Sequence, residues 1–170
     1  MNKTTIRSQL LKQRKSLNPN QIASLSEKIV KHITQSELYQ QANHIALYLP
    51  FNGEVDLTAL LQVEHKKHYL PSIQGKHMQF QRHTPSLLLK KHRYGIDQPE
   101  FIGSLQPVQP VQLDLCLMPL VGFDLNGNRL GMGGGYYDRY FEHIVTDNNA
   151  TQLAGIGYQF QQQQQKLPTQ

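Results

Sequence analysis

The chain has 170 residues, a net charge of +5, 38% hydrophobic residues and one cysteine. This length suits one domain with a buried core, and the moderate basic excess suits small polyanionic ligands without demanding nucleic acid. The absence of any apolar run of about 18 residues argues against a transmembrane helix, and the N-terminus lacks a signal peptide's apolar core. Cys116 lies in an apolar segment, which favours an inert core thiol in a cytoplasmic protein.

The N-terminal residues predict a basic helix from Thr4 to Lys15. Ile6, Leu10 and Leu11 lie on one side of this helix. Lys3 and Arg7 are four residues apart and therefore point from the same face. From the residues alone, this basic face is either solvated, as most are, or available to bind an anion.

A second helix begins at Asn18-Pro19, because Asn is a favoured cap and Pro is favoured at the first helical position. Its apolar residues recur at steps of three and four, which is typical of an amphipathic helix: Ile22, Leu25, Ile29 and Ile33. This helix is expected to be scaffold.

A buried strand and the loop that follows it form the first candidate site. Residues 44–49 (HIALYL) are apolar and end at Pro50, which predicts the strand. Open α/β sheets bind ligands in loops at the carboxyl ends of strands, so Glu54 in this loop is well placed for a ligand. A single loop glutamate is equally compatible with a solvated side chain. Asp56 is expected to cap a helix that begins at Leu57.

The middle of the chain predicts short elements. Residues 67–70 predict a strand that stops at Pro71, and residues 77–82 alternate as a second strand. The remaining segments are a short helix or packed turn (87–89), a loop (94–99), a buried strand (113–118) and a last strand (152–158). The eight histidines form no zinc signature, because no carboxylate or thiolate pattern accompanies them.

The stretch from Met118 to Phe141 carries the main functional signal. Four glycines (131, 133, 134 and 135) lie between the predicted strand at 113–118 and a predicted helix at 136–144. A strand, a glycine loop and a helix are suited to holding phosphate oxygens on backbone N–H groups. Arg129 before the loop is suited to a phosphate, and Asp138 after it to a cation.

This glycine loop matches neither common nucleotide fingerprint. No Lys-Ser/Thr pair follows the glycines, as a Walker A loop requires. The sixth position counted from Gly131 is Tyr136, where the dinucleotide motif has glycine. The residue types alone therefore leave two interpretations open, an anion site and a tight turn without a ligand.

Residues 128–139 (NRLGMGGGYYDR) closely resemble the signature of the 5-formyltetrahydrofolate cyclo-ligase family. The basic N-terminal helix also matches, and further matching segments follow in the family's order: Tyr48-Leu49-Pro50, Gly53-Glu54-Val55-Asp56, Tyr94-Gly95-Ile96 with Pro99, and Met118-Pro119. The strand and helix units predict a three-layer α/β sandwich with a largely parallel sheet and helices on both faces. The resemblance implies the cyclo-ligase version of this fold, similar to the ribose-5-phosphate isomerase and CoA-transferase group.

The same resemblance implies a reaction. ATP and 5-formyltetrahydrofolate would give 5,10-methenyltetrahydrofolate, ADP and phosphate. ATP is then a co-substrate, Mg²⁺ a cofactor, and the protein a monomer that binds neither nucleic acid nor membrane.

The resemblance also implies which residues form the site. Glu54, Arg129 and Tyr136 are expected to be catalytic, and Asp138 to contact Mg²⁺. The expected ATP and phosphate contacts are Lys3, Arg7, Asn128, Arg129, Leu130, Gly131, Met132, Gly133, Gly134, Gly135 and Tyr136. The expected folate contacts are Leu49, Glu54, Met132, Gly133, Gly134, Gly135 and Tyr136. Many relatives have Lys at the position of Gly134 and a basic residue at the position of Met132. Because this chain lacks both cations, Arg129 and the N-terminal helix are expected to neutralise more of the phosphate charge.

The C-terminal residues depart from the family pattern. Residues 159–170 are rich in glutamine and predict a mobile tail after a single domain of residues 1–158. Family members continue past an equivalent Leu-Pro into a segment whose aspartate completes the magnesium site, and residues 159–170 do not contain that aspartate. An alternative therefore stays open: a catalytically impaired relative that binds nucleotide or folate. A nucleic-acid module is not expected, because no aromatic residues interleave with a basic stripe.

Overall fold

The computed structural model describes residues 2–101, 112–142 and 151–168. Its strands are β1 (His44–Ala46), β2 (Lys67–Gln74), β3 (His77–Arg82), β4 (Leu89–Lys91), β5 (Asp97–Pro99), β6 (Leu115–Pro119), β7 (Gly122–Asp124), β8 (Arg129–Leu130), β9 (Gln152–Ile156) and β10 (Gln162–Gln163). Five of these strands form the central sheet in the order β3-β2-β1-β6-β9. Strands β2, β1, β6 and β9 are parallel, and β3 pairs antiparallel with β2 at one edge. The prediction of a largely parallel sheet is confirmed.

The helices are α1 (Lys3–Lys15), α2 (Pro19–Gln35), α3 (Glu37–Gln41) and α4 (Tyr136–Tyr140), with short 3₁₀ helices at Thr58–Gln62 and Gln159–Gln161. Helix α2 begins at Pro19, where its capping residues predict. The Asn18 side-chain oxygen accepts a hydrogen bond from the backbone N–H of Gln21 at 2.9 Å, and the backbone N–H of Asn18 donates one to the Gln21 side-chain oxygen at 2.9 Å. This reciprocal pair satisfies two N–H groups at the start of α2. Over the described residues, no helix has both the length and the apolar character needed to span a membrane.

The alternation of side chains in the central strands builds a core on each face of the sheet. Ile45 and Leu117 belong to the face that packs against α2, α3 and the first 3₁₀ helix. Ala46 and Cys116 belong to the opposite face, where Phe80 packs against Tyr137, Tyr140 and Phe141 at α4. Helices therefore cover both faces, as predicted for an α/β sandwich.

A smaller sheet, β10-β7-β8, lies beside the central one and packs against α1. The glycine loop lies between β6 and α4 as predicted, and the hairpin β7–β8 is inserted between β6 and the glycines. The hairpin turns at Asp124, whose Oδ1 accepts hydrogen bonds from the N–H groups of Asn126 at 2.8 Å and Asn128 at 3.0 Å. This local polar turn reverses the chain before the glycines.

The C-terminal segment also differs from its prediction. Residues 159–168 were expected to form a mobile tail, but β10 pairs with β7 and Leu167 is 3% exposed among the apolar residues under α1. The Gln161 side chain donates to the carbonyl groups of Leu120 at 3.1 Å and Val121 at 2.8 Å. A glutamine-rich segment is ordered here because its amide groups pair with backbone groups that would otherwise be buried without partners. The expected boundary at residue 158 does not divide the fold.

Three local predictions in the middle of the chain are wrong or partly wrong. Strand β2 continues through Pro71 to Gln74, because β1 pairs only as far as Tyr69 and leaves no ladder bond for the missing N–H of Pro71 to break. Residues 87–89 do not form a helix, and Leu89 begins the hairpin of β4 and β5. Asp56 accepts hydrogen bonds from Thr58, but the element that follows is a 3₁₀ helix rather than an α-helix.

Helix α4 ends at Tyr140, and the part of its predicted range from residue 143 onward lies outside the described residues.

We expect the ionised carboxylate of Asp124 to stabilise the fold at neutral pH and to lose this effect in acid. Burial alone would raise the pKa of Asp124, but hydrogen bonds from Asn128, Leu167 and Asn126 outweigh it and lower the pKa to about 2. An unfolded aspartate has a pKa of about 3.9, so this stabilisation is complete above pH 4 or so and is lost as the pH falls towards 2. Asp124→Asn should unfold at lower urea concentration than the wild type at pH 7, and the difference should shrink by pH 3.

The matched control for this prediction is Asp97→Asn, because Asp97 is exposed and pairs with exposed Lys91. This control should unfold like the wild type at both pH values. A deficit of Asp124→Asn that is equal at pH 7 and pH 3 would contradict the prediction.

Candidate functional site

The order of the strands places a ligand crevice between β1 and β6. From β1 the chain continues to β2 on one side, whereas β6 and β9 lie on the other side. The carboxyl ends of β1 and β6 therefore diverge at a topological switch point, where open α/β sheets bind ligands. Glu54 lies in the loop after β1, and the hairpin and glycine loop follow β6. Glu54 and the glycine loop, the two parts of the site predicted from the sequence, therefore lie at the same edge of the sheet.

The glycine loop, residues 131–135, joins β8 to α4. Gly133 has φ of +98° and Gly135 has φ of +63°. Both values lie in the left-handed region that side chains disfavour, so the loop's course depends on glycine at these two positions. Residues 132–134 are exposed, which leaves a stretch of backbone open to a ligand.

Helix α1 brings Arg7 to this loop. The Arg7 Nε donates a hydrogen bond to the carbonyl of Gly131 at 2.9 Å. A β-carbon built on Gly133 would lie 3.7 Å from Arg7 Nη2, so the guanidinium also lies beside the exposed glycines. Lys3 is one turn earlier on the same helix and is partly buried. The structure therefore joins the basic N-terminal helix to the glycine loop through Arg7.

Arg129 and Asp138 form an ion pair across the loop. The Arg129 side chain is 28% exposed and that of Asp138 is 72% exposed. The pair links β8 to α4, so the candidate phosphate ligand and the candidate metal ligand lie in contact. An exposed pair of this kind exchanges readily for stronger charged partners.

Glu54 is a buried carboxylate at the end of β1. The residue is 9% exposed, and its Oε2 accepts a hydrogen bond from the N–H of Phe51 at 3.1 Å. Burial raises the pKa of Glu54 to about 7, although the charge of Arg14 and the Phe51 N–H act to lower it. A carboxyl group that titrates near neutral pH is suited to proton transfer.

Arg14 is the functional neighbour that the sequence predictions missed. It is 1% exposed, and its Nη1 lies 3.6 Å from Glu54 Oε1. A signal for it was present, because Ile6, Leu10 and Arg14 recur at steps of four and all three are buried. A charged residue on an apolar stripe needs a buried partner, and Glu54 is that partner.

Tyr137 lies within electrostatic range of both Glu54 and Arg129. Burial raises the pKa of the Tyr137 hydroxyl, the charges of Cys116, Glu54 and Tyr48 raise it further, and Arg129 acts in the opposite direction. Glu54 and Arg129 therefore both act on one phenol. No signal in the residue pattern distinguishes Tyr137 from its neighbour Tyr136.

Tyr136, the expected catalytic tyrosine, has a different environment. Its hydroxyl donates to the carbonyl of Gly75 at 2.9 Å, in the turn between β2 and β3. The guanidinium of Arg139 lies over its ring at 5.1 Å and donates to Lys76 O. These contacts fix the start of α4 against the β2–β3 turn.

Three expected site residues have side chains that serve the scaffold. The Asn128 amide donates to Asp124 at 2.9 Å, within the hairpin turn. Leu130 is 4% exposed in the core under α1, and Leu49 packs against the α2 face of the sheet. The side chains of Asn128, Leu130 and Leu49 therefore have structural roles.

The acidic residues test whether the site suits Mg²⁺. Within the described residues, no three His, Cys, Asp or Glu side chains come close enough to hold a metal ion. Asp138 offers one exposed carboxylate beside the glycine loop. Protein-bound Mg²⁺ often takes one or two carboxylates and keeps water and phosphate oxygens. This donor set therefore suits a Mg²⁺ ion that arrives with a nucleotide, and does not suit a cage built by the protein.

An apolar cleft on the α2 face of the sheet is separate from this site. It is lined mainly by Ile33, Leu38, Leu115, Leu117, Ala154 and Ile156, and none of the expected site residues lines it. It lacks the converging polar groups expected where a charged substrate binds.

We expect Gly133→Ala to destabilise the protein more than Gly131→Ala. An alanine at 133 must adopt φ of +98°, whereas a β-carbon at Gly131 meets no atom within 4 Å and needs no left-handed backbone. The left-handed conformation costs a non-glycine residue about 1–2 kcal/mol. Urea unfolding should show a loss of about 1 kcal/mol for Gly133→Ala and a smaller change for the matched variant. Equal losses would contradict the assignment of strain to Gly133.

Comparison with known proteins gives a consistent set of relatives. The sequence model of the 5-formyltetrahydrofolate cyclo-ligase family matches residues 1–170. A 5-formyltetrahydrofolate cyclo-ligase of Haemophilus influenzae is 37% identical over 171 residues, which cover 96% of this chain and 89% of that protein. The NMR structure of 5,10-methenyltetrahydrofolate synthetase from Aquifex aeolicus superposes with a TM-score of 0.82 at 32% identity, covering 100% of this chain and 84% of that one. A 5,10-methenyltetrahydrofolate synthetase structure from Mycoplasma pneumoniae has a TM-score of 0.74 at 26% identity, covering 99% and 92%.

Proposed function

Because the chain belongs to the 5-formyltetrahydrofolate cyclo-ligase family, we propose that the switch-point site binds ATP at the glycine loop and the folate beside Glu54. The protein is an ATP-dependent ligase that closes 5-formyltetrahydrofolate to 5,10-methenyltetrahydrofolate and releases ADP and phosphate. The observation that carries the assignment of the site is its geometry. Glu54 and the glycine loop follow neighbouring parallel strands and share one edge of the sheet.

The chemistry requires activation before ring closure. The formyl oxygen is a poor leaving group, so ATP transfers its terminal phosphoryl group to that oxygen. The N10 nitrogen then attacks the formyl carbon, a C–N bond forms, the C–O bond breaks, phosphate leaves, and N10 loses its proton. Phosphoryl transfer depends mainly on positioning and charge neutralisation, so a covalent nucleophile is not needed.

The phosphates are assigned to the loop and its basic neighbours. Arg7 already contacts the loop at Gly131, and Arg129 is attached to β8 immediately before it. We assign Arg7, Arg129 and Lys3 to the phosphate oxygens, together with the exposed backbone of residues 132–134. Arg129 would exchange its exposed pair with Asp138 for the more highly charged phosphate.

Asp138 is then free to act as the single protein ligand of a Mg²⁺ ion bound to the nucleotide. Such an ion supplies charge neutralisation at the phosphates. Its remaining ligands would be water and phosphate oxygens.

Glu54 is assigned to the folate. Its carboxylate would orient the formyl and pterin groups and accept the proton that N10 loses during ring closure. Its location supports this role, because it is buried at the crevice and its pKa is about 7. Tyr136, held to the β2–β3 turn, is assigned to shaping the pocket.

The comparisons do not favour the alternative of an impaired binding protein. The enzyme from Haemophilus influenzae aligns over 89% of its length, including the glycine loop and Glu54 regions of this chain. We further propose that the protein acts as a cytoplasmic monomer on two small molecules, ATP and a reduced folate. Size-exclusion chromatography with light scattering tests the monomer.

The absorbance of the methenyl product tests the proposed function. Purified protein with 5-formyltetrahydrofolate should give steady product formation only when both ATP and Mg²⁺ are present. Omission of ATP should abolish it, and omission of Mg²⁺ should reduce it strongly. Failure to turn over while ATP or folate still binds by calorimetry would favour the binding protein instead.

A further inference from the structure

Arg14 is a buried cation that contacts both sides of the switch point. Its Nε donates to the carbonyl of Asn52 at 3.0 Å, in the loop after β1. Its Nη1 donates to the carbonyl of Leu120 at 3.3 Å, directly after β6, and lies 3.6 Å from Glu54. A guanidinium that is 1% exposed is unfavourable unless its charge is paired and its N–H groups are bonded. The Nε and Nη1 of Arg14 meet this requirement, and its Nη2 has no partner among the described residues. Its contacts are therefore specific to the crevice rather than incidental.

The loop that presents Glu54 is conformationally strained and held from two sides. Asn52 has φ of +49° and Gly53 has φ of +76°, so two consecutive residues are left-handed. The Asn52 carbonyl is held by Arg14, and the Gly53 carbonyl accepts a hydrogen bond from the Tyr158 hydroxyl at 3.1 Å. A strained backbone persists where the surrounding contacts over-determine it. Arg14 is one of the two groups that do so here.

One helix links this loop to the glycine loop. Arg7 and Arg14 are seven residues apart on α1, two helical turns, so they lie on one face about 10 Å apart along the axis. Arg7 bonds to Gly131 and Arg14 to Asn52. A rigid helix therefore connects the phosphate-binding part of the site with the carboxylate.

From these contacts, we propose that Arg14 is a positioning residue for the cyclisation, which holds the Glu54 carboxylate in orientation and keeps it ionised in the crevice. This inference rests on the proposed role of Glu54 as acceptor of the substrate proton. Arg14 itself is buried behind Glu54 and acts through it.

The charged and titratable groups around Glu54 make Arg14 the dominant favourable neighbour. Burial disfavours the charged form of Glu54, and Arg14 is the cation that opposes this effect. The other groups that interact with Glu54 are the hydroxyls of Tyr48, Tyr137 and Tyr158, while Asp56 acts on Tyr48 and Tyr158. Those groups are neutral or acidic, so none of them replaces the positive charge of Arg14.

The pH dependence of kcat/KM separates this role from a purely structural one. If Glu54 acts as a carboxylate, wild-type kcat/KM rises with pH and levels off above the pKa of Glu54 in the free enzyme. Removing a cation 3.6 Å away disfavours the carboxylate, so the acidic limb must move to higher pH. A residue that only stabilised the fold would lower activity by the same factor at every pH.

The experiment compares Arg14→Met, Arg14→Gln and Arg14→Lys with the wild type. The two neutral variants should shift the acidic limb of kcat/KM upward by about one pH unit, whereas Arg14→Lys should leave it near the wild-type position. At a pH one unit below the wild-type limb, the neutral variants should therefore lose about tenfold more kcat/KM than they lose on the plateau. Two neutral variants are used so that the test survives the misfolding of either.

Further variants separate failure of this inference from failure of the proposed function. In a Glu54→Gln background, Arg14→Met should cause no shift, because the titrating group is absent. If Glu54→Gln abolishes the acidic limb of kcat/KM but the neutral Arg14 variants leave that limb at its wild-type pH, the role of Arg14 alone is overturned. A wild-type protein that forms no methenyl product would instead overturn the proposed function, and a limb that survives Glu54→Gln would overturn the proposed role of Glu54.

Discussion

Replacing Arg129 by alanine should lower kcat by about 10²–10³-fold while leaving the fold intact, which is the usual effect of losing a group that stabilises transition-state charge. Arg129 is 28% exposed, and Asp138 is its ion-pair partner, so its removal leaves no buried charge unpaired. Gly134 and Met132 supply no cation in the loop, which leaves few groups to share the phosphate charge. The variant should show normal circular dichroism and thermal unfolding, with a larger loss in kcat than in the KM for ATP.

The matched control for Arg129 is Arg93→Ala. Arg93 is an exposed arginine outside the proposed site, in the turn between β4 and β5, where it contacts Tyr94. This control should keep wild-type kinetics, which excludes a general effect of lost positive charge. Wild-type kcat for Arg129→Ala would remove Arg129 from the phosphate site. A second variant, Arg129→Lys, should recover part of the lost kcat, because lysine keeps the positive charge but cannot bind a phosphate in the bidentate geometry of arginine.

Replacing Glu54 by glutamine should lower kcat/KM by about 10²-fold at pH 8 and remove its acidic limb, since general acid–base groups contribute about 10²–10⁴-fold. The direction of the pH dependence follows from the protonation state of Glu54 that the reaction uses, which is the carboxylate. Burial raises the pKa of Glu54 to about 7, so the carboxylate predominates above that pH and is lost below it. Wild-type kcat/KM should therefore fall about tenfold for each pH unit below 7.

The control for Glu54 is Glu64→Gln, an exposed glutamate outside the site. It should keep both the plateau and the limb of the wild type. Thermal unfolding of Glu54→Gln is needed beside the kinetics, because the substitution leaves Arg14 without its carboxylate partner. Retention of a limb near pH 7 in a folded Glu54→Gln protein would exclude Glu54 as its source.

Local signals in the sequence predicted much of the fold. The capping residues at Asn18-Pro19 are close in sequence to the helix they start, and the structure begins α2 at Pro19. The short apolar runs predicted the parallel strands, which are β1, β6 and β9 in the structure. These features depend on neighbouring residues, so the sequence contains the information needed to place them.

The wrong predictions involve contacts between distant segments. Gln161 bonds to Leu120 and Val121, about forty positions away, and this contact orders a segment whose composition resembles that of a mobile tail. Pro71 stays within β2 because β1 ends early, which depends on a different segment of the chain. The composition and residue spacing of a segment do not identify the distant segment that it contacts.

The candidate site divides in the same way. The glycine motif, Glu54 after the first parallel strand and the basic face of α1 are readable in the printed sequence, and they were sufficient to identify the family by resemblance. Tertiary structure alone decided that Arg14 faces Glu54, that Tyr137 has both Glu54 and Arg129 as electrostatic neighbours, and that the Asn128 side chain serves a turn. The physical reason is that burial and charge pairing depend on which segments pack together, and here α1, the loop after β1 and the end of β6 converge from positions up to 106 residues apart.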